Sequence, residues 1–219
     1  MLSNFAATLS RSRGLVLAAV GVVAAAAIVL IGIGIGAQQA EVAAPEPAGA
    51  PPPPITVTLQ DRGPAPEFSG IGAWMNGEKT TIAGLRGQVV LIDFWTLGCI
   101  NCRRTLPYVR QWHDRYAAHG LKVIGVHTPE FAYEKDQERV RQAMAELGVT
   151  WTVAIDNQKG TWYAWRNRWW PRKYLIDAAG TLRYDRIGEG AYEQTEHAIR
   201  LLLEENGADL SAVPFGARL

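Results

Sequence analysis

Hydrophobic positions change their period several times along this chain, and each change marks an expected element. Residues 89–94 (Val-Val-Leu-Ile-Asp-Phe) and 121–126 (Leu-Lys-Val-Ile-Gly-Val) are short apolar runs of buried-strand composition. Between them, apolar side chains at helical spacing over 100–119 predict a helix that Gly120 ends. A second helix is expected over 134–147 with its stop at Gly148, then a third strand over 152–155 and a short helix over 158–165. After Pro171, segments 174–176 and 182–185 flank the turn Asp177-Ala178-Ala179-Gly180 as a hairpin, and an amphipathic helix follows over 193–205. Nearer the start, 55–59 has strand composition, while 74–77 followed by 80–85 reads as a hairpin and a short helix.

This order implies an α/β fold with a mixed central sheet and helices on both faces. The strands at 89 and 121 are joined by a crossover helix, so they should run parallel. Their carboxyl ends then open on one rim, where sites form in such sheets. Cys99 and the loop His127-Thr128-Pro129-Glu130 would share that rim.

Ahead of the patterned region, residues 15–37 form an apolar run without a charge, long enough at ~1.5 Å per residue to reach across a ~30 Å hydrocarbon core. Arg11 and Arg13 precede it and Glu41 and Glu46 follow, which places the N-terminus in the cytoplasm and the rest outside. A cleaved signal peptide is the competing reading, but its apolar region would be shorter. Residues 38–54 turn to Ala, Glu and Pro and end in four prolines, an extended tether. The expected organisation is a cytoplasmic N-terminus (1–14), a transmembrane anchor (15–37), an Ala/Pro-rich linker (38–54) and one folded domain (55–219). A net charge of +1 gives no reason to expect a nucleic-acid partner.

The two cysteines of the chain are Cys99 and Cys102, in Gly98-Cys99-Ile100-Asn101-Cys102. A strand delivers Cys99 to the first turn of a helix, where free N–H groups and the helix dipole favour thiolate over thiol. That is the layout of a dithiol redox site. Two other readings stand beside it. Zinc needs four ligands, and neither a second Cys pair nor a His-x-x-x-His completes such a set. A structural disulfide would enclose too short a loop to stabilise much. No metal or cofactor is expected. Asp93, inside an apolar strand, should have a raised pKa that suits it to proton transfer, or else be a strand-end carboxylate bonded to backbone or water. His127 and Glu130 come within reach of Cys99 through the shared rim, the alternatives being a local cap and a solvated charge. Trp162, Trp165, Trp169 and Trp170 would line either a substrate groove or the core.

Val-Leu-Ile-Asp-Phe-Trp ahead of Cys-x-x-Cys, with a distant proline before a strand, resembles the thioredoxin superfamily. Ala65-Pro66-Glu67-Phe68 and Leu85-Arg86-Gly87 are similar to its TlpA-like, or redoxin, branch. Trp95-Thr96-Leu97-Gly98-Cys99-Ile100-Asn101-Cys102, Gly125 to Phe131, Trp169-Trp170-Pro171 and Gly188-Glu189-Gly190 resemble the thioredoxin-like domain of DipZ proteins. The resemblance implies a thioredoxin-like fold, with Cys99 as nucleophile, Cys102 as resolving thiol and Asp93 as the buried acid that assists it. It implies a cis peptide at Pro171, facing the cysteines, with the Trp170 backbone pairing with substrate chain. Trp95, Trp170, Pro171 and Glu130 are the expected substrate-binding residues. Asn101 stands where a proline is common, and Thr105 where cytochrome c maturation reductases of this branch carry a Glu.

The function expected on these grounds is a membrane-anchored thiol-disulfide oxidoreductase. Its partners would be a disulfide-containing extracytoplasmic, periplasmic client protein and a membrane thiol electron donor of the CcdA or DsbD kind. A thiol peroxidase of the same fold is the enzymatic alternative, since Thr96 lies three residues before Cys99; peroxiredoxins, however, carry a proline where this chain has Ile92. A non-catalytic, membrane-tethered binding module is the alternative of another class.

Overall fold

The computed structural model describes residues 55–216. Six strands form one mixed sheet: β1 (Ala73–Met75), β2 (Val89–Trp95), β3 (Leu121–His127), β4 (Thr152–Ile155), β5 (Arg172–Ile176) and β6 (Leu182–Ile187). Their spatial order is β1-β4-β3-β2-β5-β6. β2 runs parallel to β3, and β3 to β4, while the β1–β4, β2–β5 and β5–β6 pairs are antiparallel. All of β2 is buried, as a strand apolar at every position but Asp93 should be when it lies centrally and is covered on both faces.

Alternation along the strands separates two cores. Val89, Leu91, Trp95, Val123 and Leu175 face α1 (Ile100–Tyr116), α2 (Gln137–Leu147) and α4 (Tyr192–Glu205). Val90, Ile92, Phe94, Ile124, Val126, Tyr174 and Ile176 meet Trp162 of α3 (Gly160–Ala164), Trp165, and the 3-10 turn Ala83–Leu85. α1 and α2 share a face because each is a right-handed crossover and β2, β3 and β4 are laid down in one direction across the sheet. The mixed sheet with helices on both faces is therefore as the sequence implies.

Several local expectations are corrected. Residues 55–59 form no strand: the chain bonds to β6 only intermittently, through Gln60 N–H to Arg183 and Arg62 N–H to Leu182, and Pro64 then removes a donor. The 74–77 hairpin is absent, because Ala73–Met75 pairs with β4 across the sheet instead of folding onto its neighbour. The helix expected over 134–147 is divided. A 3-10 turn spans Ala132–Lys135, and Asp136 then caps α2 by accepting from the Glu138 and Arg139 amides. Among the described residues, no helix is long and apolar enough to cross a membrane. The expected N-terminus (1–14), anchor (15–37) and linker (38–54) lie outside the described residues.

Candidate active site

Cys99 is the N-cap of α1: its backbone is extended, and its sulfur accepts the Cys102 N–H at 3.2 Å. It lies where β2 gives way to a turn, closed by Cys99 N–H to Thr96 O at 3.3 Å. The Cys99 thiol is lowered to about 7, first by the Cys102 thiol and then by the Cys102 and Asn101 amides, against partial burial and the nearby Glu130 charge. Cys102, one helical turn in, is fully buried and pushed the other way, chiefly by burial and then by its bond to Cys99. Both thiols are free.

Asp93 lies on the same face of β2 as Leu91 and Trp95, beneath α1. Burial raises its carboxyl to about 7, with Lys173 working to lower it and Cys99 to raise it. Neither carboxylate oxygen has a hydrogen-bond partner among the described residues. Lys173, its antiparallel register partner on β5, is also fully buried.

The Trp170–Pro171 peptide is cis, as the resemblance implied. Half-buried Trp170 donates its indole N–H to Thr128 O at 3.0 Å, tying the proline loop to the loop after β3, and packs at a tilt of 30° on Trp162 with ring centroids 4.1 Å apart. Trp162 and Trp165 pack edge-on against Phe94 and belong to the core, whereas Trp169 is 53% exposed. Trp95 requires a correction. It is completely buried, packed edge-on against His127 with the ring centroids 5.0 Å apart, so its side chain offers a client no exposed surface. Glu130 is exposed on the rim and reaches Cys99 through its charge.

Two buried groups hold the turn that carries Cys99. His127 accepts the Leu97 N–H on Nε2 at 3.3 Å, and burial lowers its pKa to about 4, so it stays neutral. Glu134, fully buried, accepts the amides of Gly98 at 3.0 Å, Glu130 at 2.6 Å and Phe131 at 2.9 Å. Burial pushes its carboxyl up, but these bonds outweigh that and hold it below the usual range. A Cβ at position 98 would meet the Tyr133 hydroxyl and the Glu134 carboxylate, so a side chain there would have to displace the carboxylate that holds this turn. Sequence reasoning missed Glu134 and Lys173. The signal for Glu134 was a polar residue where the tight run from Pro129 leaves amides unpaired. The signal for Lys173 was a charge leading directly into the apolar run Tyr174-Leu175-Ile176.

The family model for Redoxin matches residues 60–200, most of the described chain. The chain belongs to the redoxin family. Within it, this redoxin is 49% identical over 150 residues to Protein DipZ of Mycobacterium tuberculosis, a match that covers 67% of this chain and 22% of that protein. The redoxin thus spans well under two thirds of its mycobacterial relatives. It is 30% identical over 144 residues to the thiol-disulfide oxidoreductase YkuV of Bacillus subtilis, covering 66% of this chain and 97% of YkuV. The solution structure of a thioredoxin-like protein in the oxidized form superposes with a TM-score of 0.60 at 31% identity, covering 65% of this chain and 95% of that one. This redoxin therefore has a thioredoxin-like fold and is an oxidoreductase of the thiol-disulfide type.

Proposed function

We propose that this redoxin is a membrane-anchored, extracytoplasmic enzyme that reduces protein disulfides with the Cys99–Cys102 dithiol. The observation that carries the reading is the inequality of the two thiols: Cys99 is accessible and ionises near neutrality, while Cys102 is buried and held protonated. Exchange is fastest when the attacking thiol ionises near ambient pH.

Cys99 thiolate attacks one sulfur of a client disulfide, forming a mixed disulfide and releasing the first client thiolate. Asp93 takes the Cys102 proton, and Cys102 sulfur then attacks Cys99 sulfur, which closes the Cys99–Cys102 disulfide and expels the second client thiolate. Both client thiolates take protons from water. Two electrons have passed from the enzyme dithiol to the client. Exposed Ile100, Phe131, Tyr133 and Trp169 surround this chemistry with apolar surface suited to an unfolded or extended client. The Trp170 backbone and Pro171 would receive the client chain, and Glu130 would flank it. The oxidised enzyme then needs two electrons, for which a membrane thiol donor of the CcdA or DsbD kind is the partner. The anchor at 15–37 and the tether at 38–54 would hold the domain on the periplasmic side, with Arg11 and Arg13 inside.

Insulin-disulfide reduction by the full-length chain, with dithiothreitol as the electron source and its uncatalysed rate subtracted, tests this reading. Cys99→Ser should abolish turnover, and retained turnover would overturn it. The equilibrium potential of the pair should fall near about −270 mV; a value near about −120 mV would make the enzyme an oxidant. Rapid hydrogen peroxide consumption that survives Cys102→Ser would replace the reductase by a peroxidase.

A further inference from the structure

The loops that surround Cys99 carry an excess of positive charge that the exchange steps leave unused. Strand register fixes which loops these are. Arg172, the first residue of β5, pairs with Phe94 near the carboxyl end of β2, so the segment 165–171 ahead of it ends on the rim where β2 hands over to Cys99. Ile155 closes β4 opposite His127, which puts the turn 156–160 on the same rim. Trp170 joins these loops: its indole bonds to Thr128 O, and the Lys159 ammonium lies 5.3 Å from its ring centroid. Arg103 lies one turn after Cys99 on the same stripe of α1, and its N–H donates to Cys99 O at 3.1 Å.

Arg103, Arg166 and Arg168 are exposed, and among the described residues none of them forms an ion pair. Most acids on this rim are already engaged. Glu134 and Asp156 are buried and held by amides, and Glu189 pairs with Arg104 at 3.5 Å. That leaves exposed Glu130 as the counter-charge to Arg103, Lys159, Arg166 and Arg168. The fold also holds these cations out. Buried Asn167 donates from Nδ2 to Trp169 O at 3.2 Å and accepts the Tyr174 hydroxyl on Oδ1 at 3.4 Å, which pins the backbone beside Arg168. Lys159 and Arg166 take left-handed backbone angles, φ 59° and 49°, that glycine would adopt with less strain. Strained positions of this kind gather at functional sites.

We propose that this basic rim selects protein clients whose cystine is flanked by Asp or Glu, steering the acidic segment onto Cys99. The proposal rests on the reading of Cys99 as the attacking thiol and adds no chemical step: the dithiol still passes two electrons to the client disulfide and closes its own. Fixed cations around the thiol raise the local concentration of an anionic chain, so the gain is in encounter rate and in choice of partner. Trp169, 53% exposed beside Arg168, gives the same chain an apolar contact. An anionic lipid surface would meet the same charges, but it would cover Cys99, which a client has to reach. The placement of the cations around the thiol therefore favours the peptide.

The test follows oxidation of the pre-reduced full-length chain, in nonionic detergent, by self-quenched cystine peptides that differ only in whether Glu, Gln or Lys flanks the disulfide. Each second-order rate constant is divided by that for mercaptoethanol, whose thiolate carries the same single charge, which removes the peptide's intrinsic reactivity. At ~10 mM salt, where charges interact over ~30 Å, the normalised rate should be at least about tenfold higher for the Glu than for the Lys peptide. At ~1 M salt that ratio should fall below about twofold, a result that needs no variant. Arg166→Gln combined with Arg168→Gln should cut the low-salt ratio by at least about threefold. Lys79→Gln combined with Lys122→Gln removes equal charge from a cavity at the opposite end of the sheet and should keep the wild-type ratio. A wild-type ratio near one, or a ratio lowered equally by the two double variants, would overturn the proposal and leave Cys99 as the nucleophile. Failure of all three peptides to oxidise the protein would overturn the Cys99 reading and this proposal with it. Slowing of the Gln peptide by phosphatidylglycerol in the micelles, relieved in the arginine double variant, would assign the rim to lipid and overturn the choice of a peptide.

Discussion

The Cys102 amide donates to the Cys99 sulfur at 3.2 Å, and this bond adds to that of the Cys102 thiol in holding Cys99 low while burial pushes Cys102 up. It gives Cys99 the N-cap position, where amides stabilise a thiolate, and fixes Cys102 in the buried first turn. In the reduced protein, iodoacetamide should alkylate Cys99 with a midpoint near pH 7 and leave Cys102 untouched up to the onset of unfolding. Peptide mapping of the alkylated protein checks this, and equal labelling of both thiols would contradict it.

Asp93 should make the domain less stable as pH rises. Its folded pKa of about 7 exceeds the ordinary carboxyl value of 3.8, so between these values the folded state binds more protons than the unfolded one. The stability it contributes is full below pH 3.8 and is lost as pH rises to about 7. The upper bound on the loss is about 4 kcal/mol. Asp93→Asn should therefore be more stable than wild type at pH 8 and approach it at pH ~4, a difference that urea denaturation at several pH values would measure.

His127 works in the opposite sense over part of the same range. Burial lowers its pKa from 6.5 to about 4, so its contribution is present above 6.5 and is lost as pH falls towards 4. Protonation would also cost the bond that Nε2 accepts from Leu97 N–H, which loosens the turn carrying Cys99. His127→Asn should flatten the acid side of the stability curve, with an upper bound of about 3 kcal/mol on the change. Because His127 and Asp93 oppose each other, the wild-type curve alone hides both, and only the differences between variant and wild type reveal them.

Glu134 ties the loop before Cys99 to the loop after β3 through three amides. Glu134→Gln keeps the size but removes the charge and turns one acceptor towards donors as another donor. Hydrogen bonds to a charged group contribute ~1.5–3 kcal/mol each, so a loss of at least about 3 kcal/mol in local stability is expected. Amide exchange at Gly98, Glu130 and Phe131 should accelerate by about 100-fold. Unchanged protection at those amides would show that the loops hold themselves.

Much of this was legible in the sequence, and the parts that were not share a cause. The runs at 89–94 and 121–126 announced central strands because both faces of those strands are covered, and Gly120 and Gly148 marked helix ends through their left-handed backbones. Cys99, Cys102 and Asp93 stood out because spacing and a charge in an apolar strand are local signals. Trp95 was misread because an aromatic residue beside a catalytic motif looks the same in sequence whether it faces solvent or the core; the face it takes follows from the alternation of β2. Glu134 and Lys173 gain their meaning from partners distant in the chain, Gly98 and Asp93, and only the assembled sheet and loops bring these together. Residues 55–59 have strand composition, but an intermittent set of bonds to β6 does not make a ladder.

The most direct measurement of the central claim is mass-spectrometric mapping of the covalent complex that Cys102→Ser forms with a disulfide-bonded client peptide. Without a resolving thiol, the mixed disulfide should accumulate in stoichiometric yield, through Cys99 alone, and Cys99→Ser should form none. Absence of the adduct in Cys102→Ser, or an equal adduct through Cys102 in Cys99→Ser, would contradict the assignment of Cys99 as the attacking thiol.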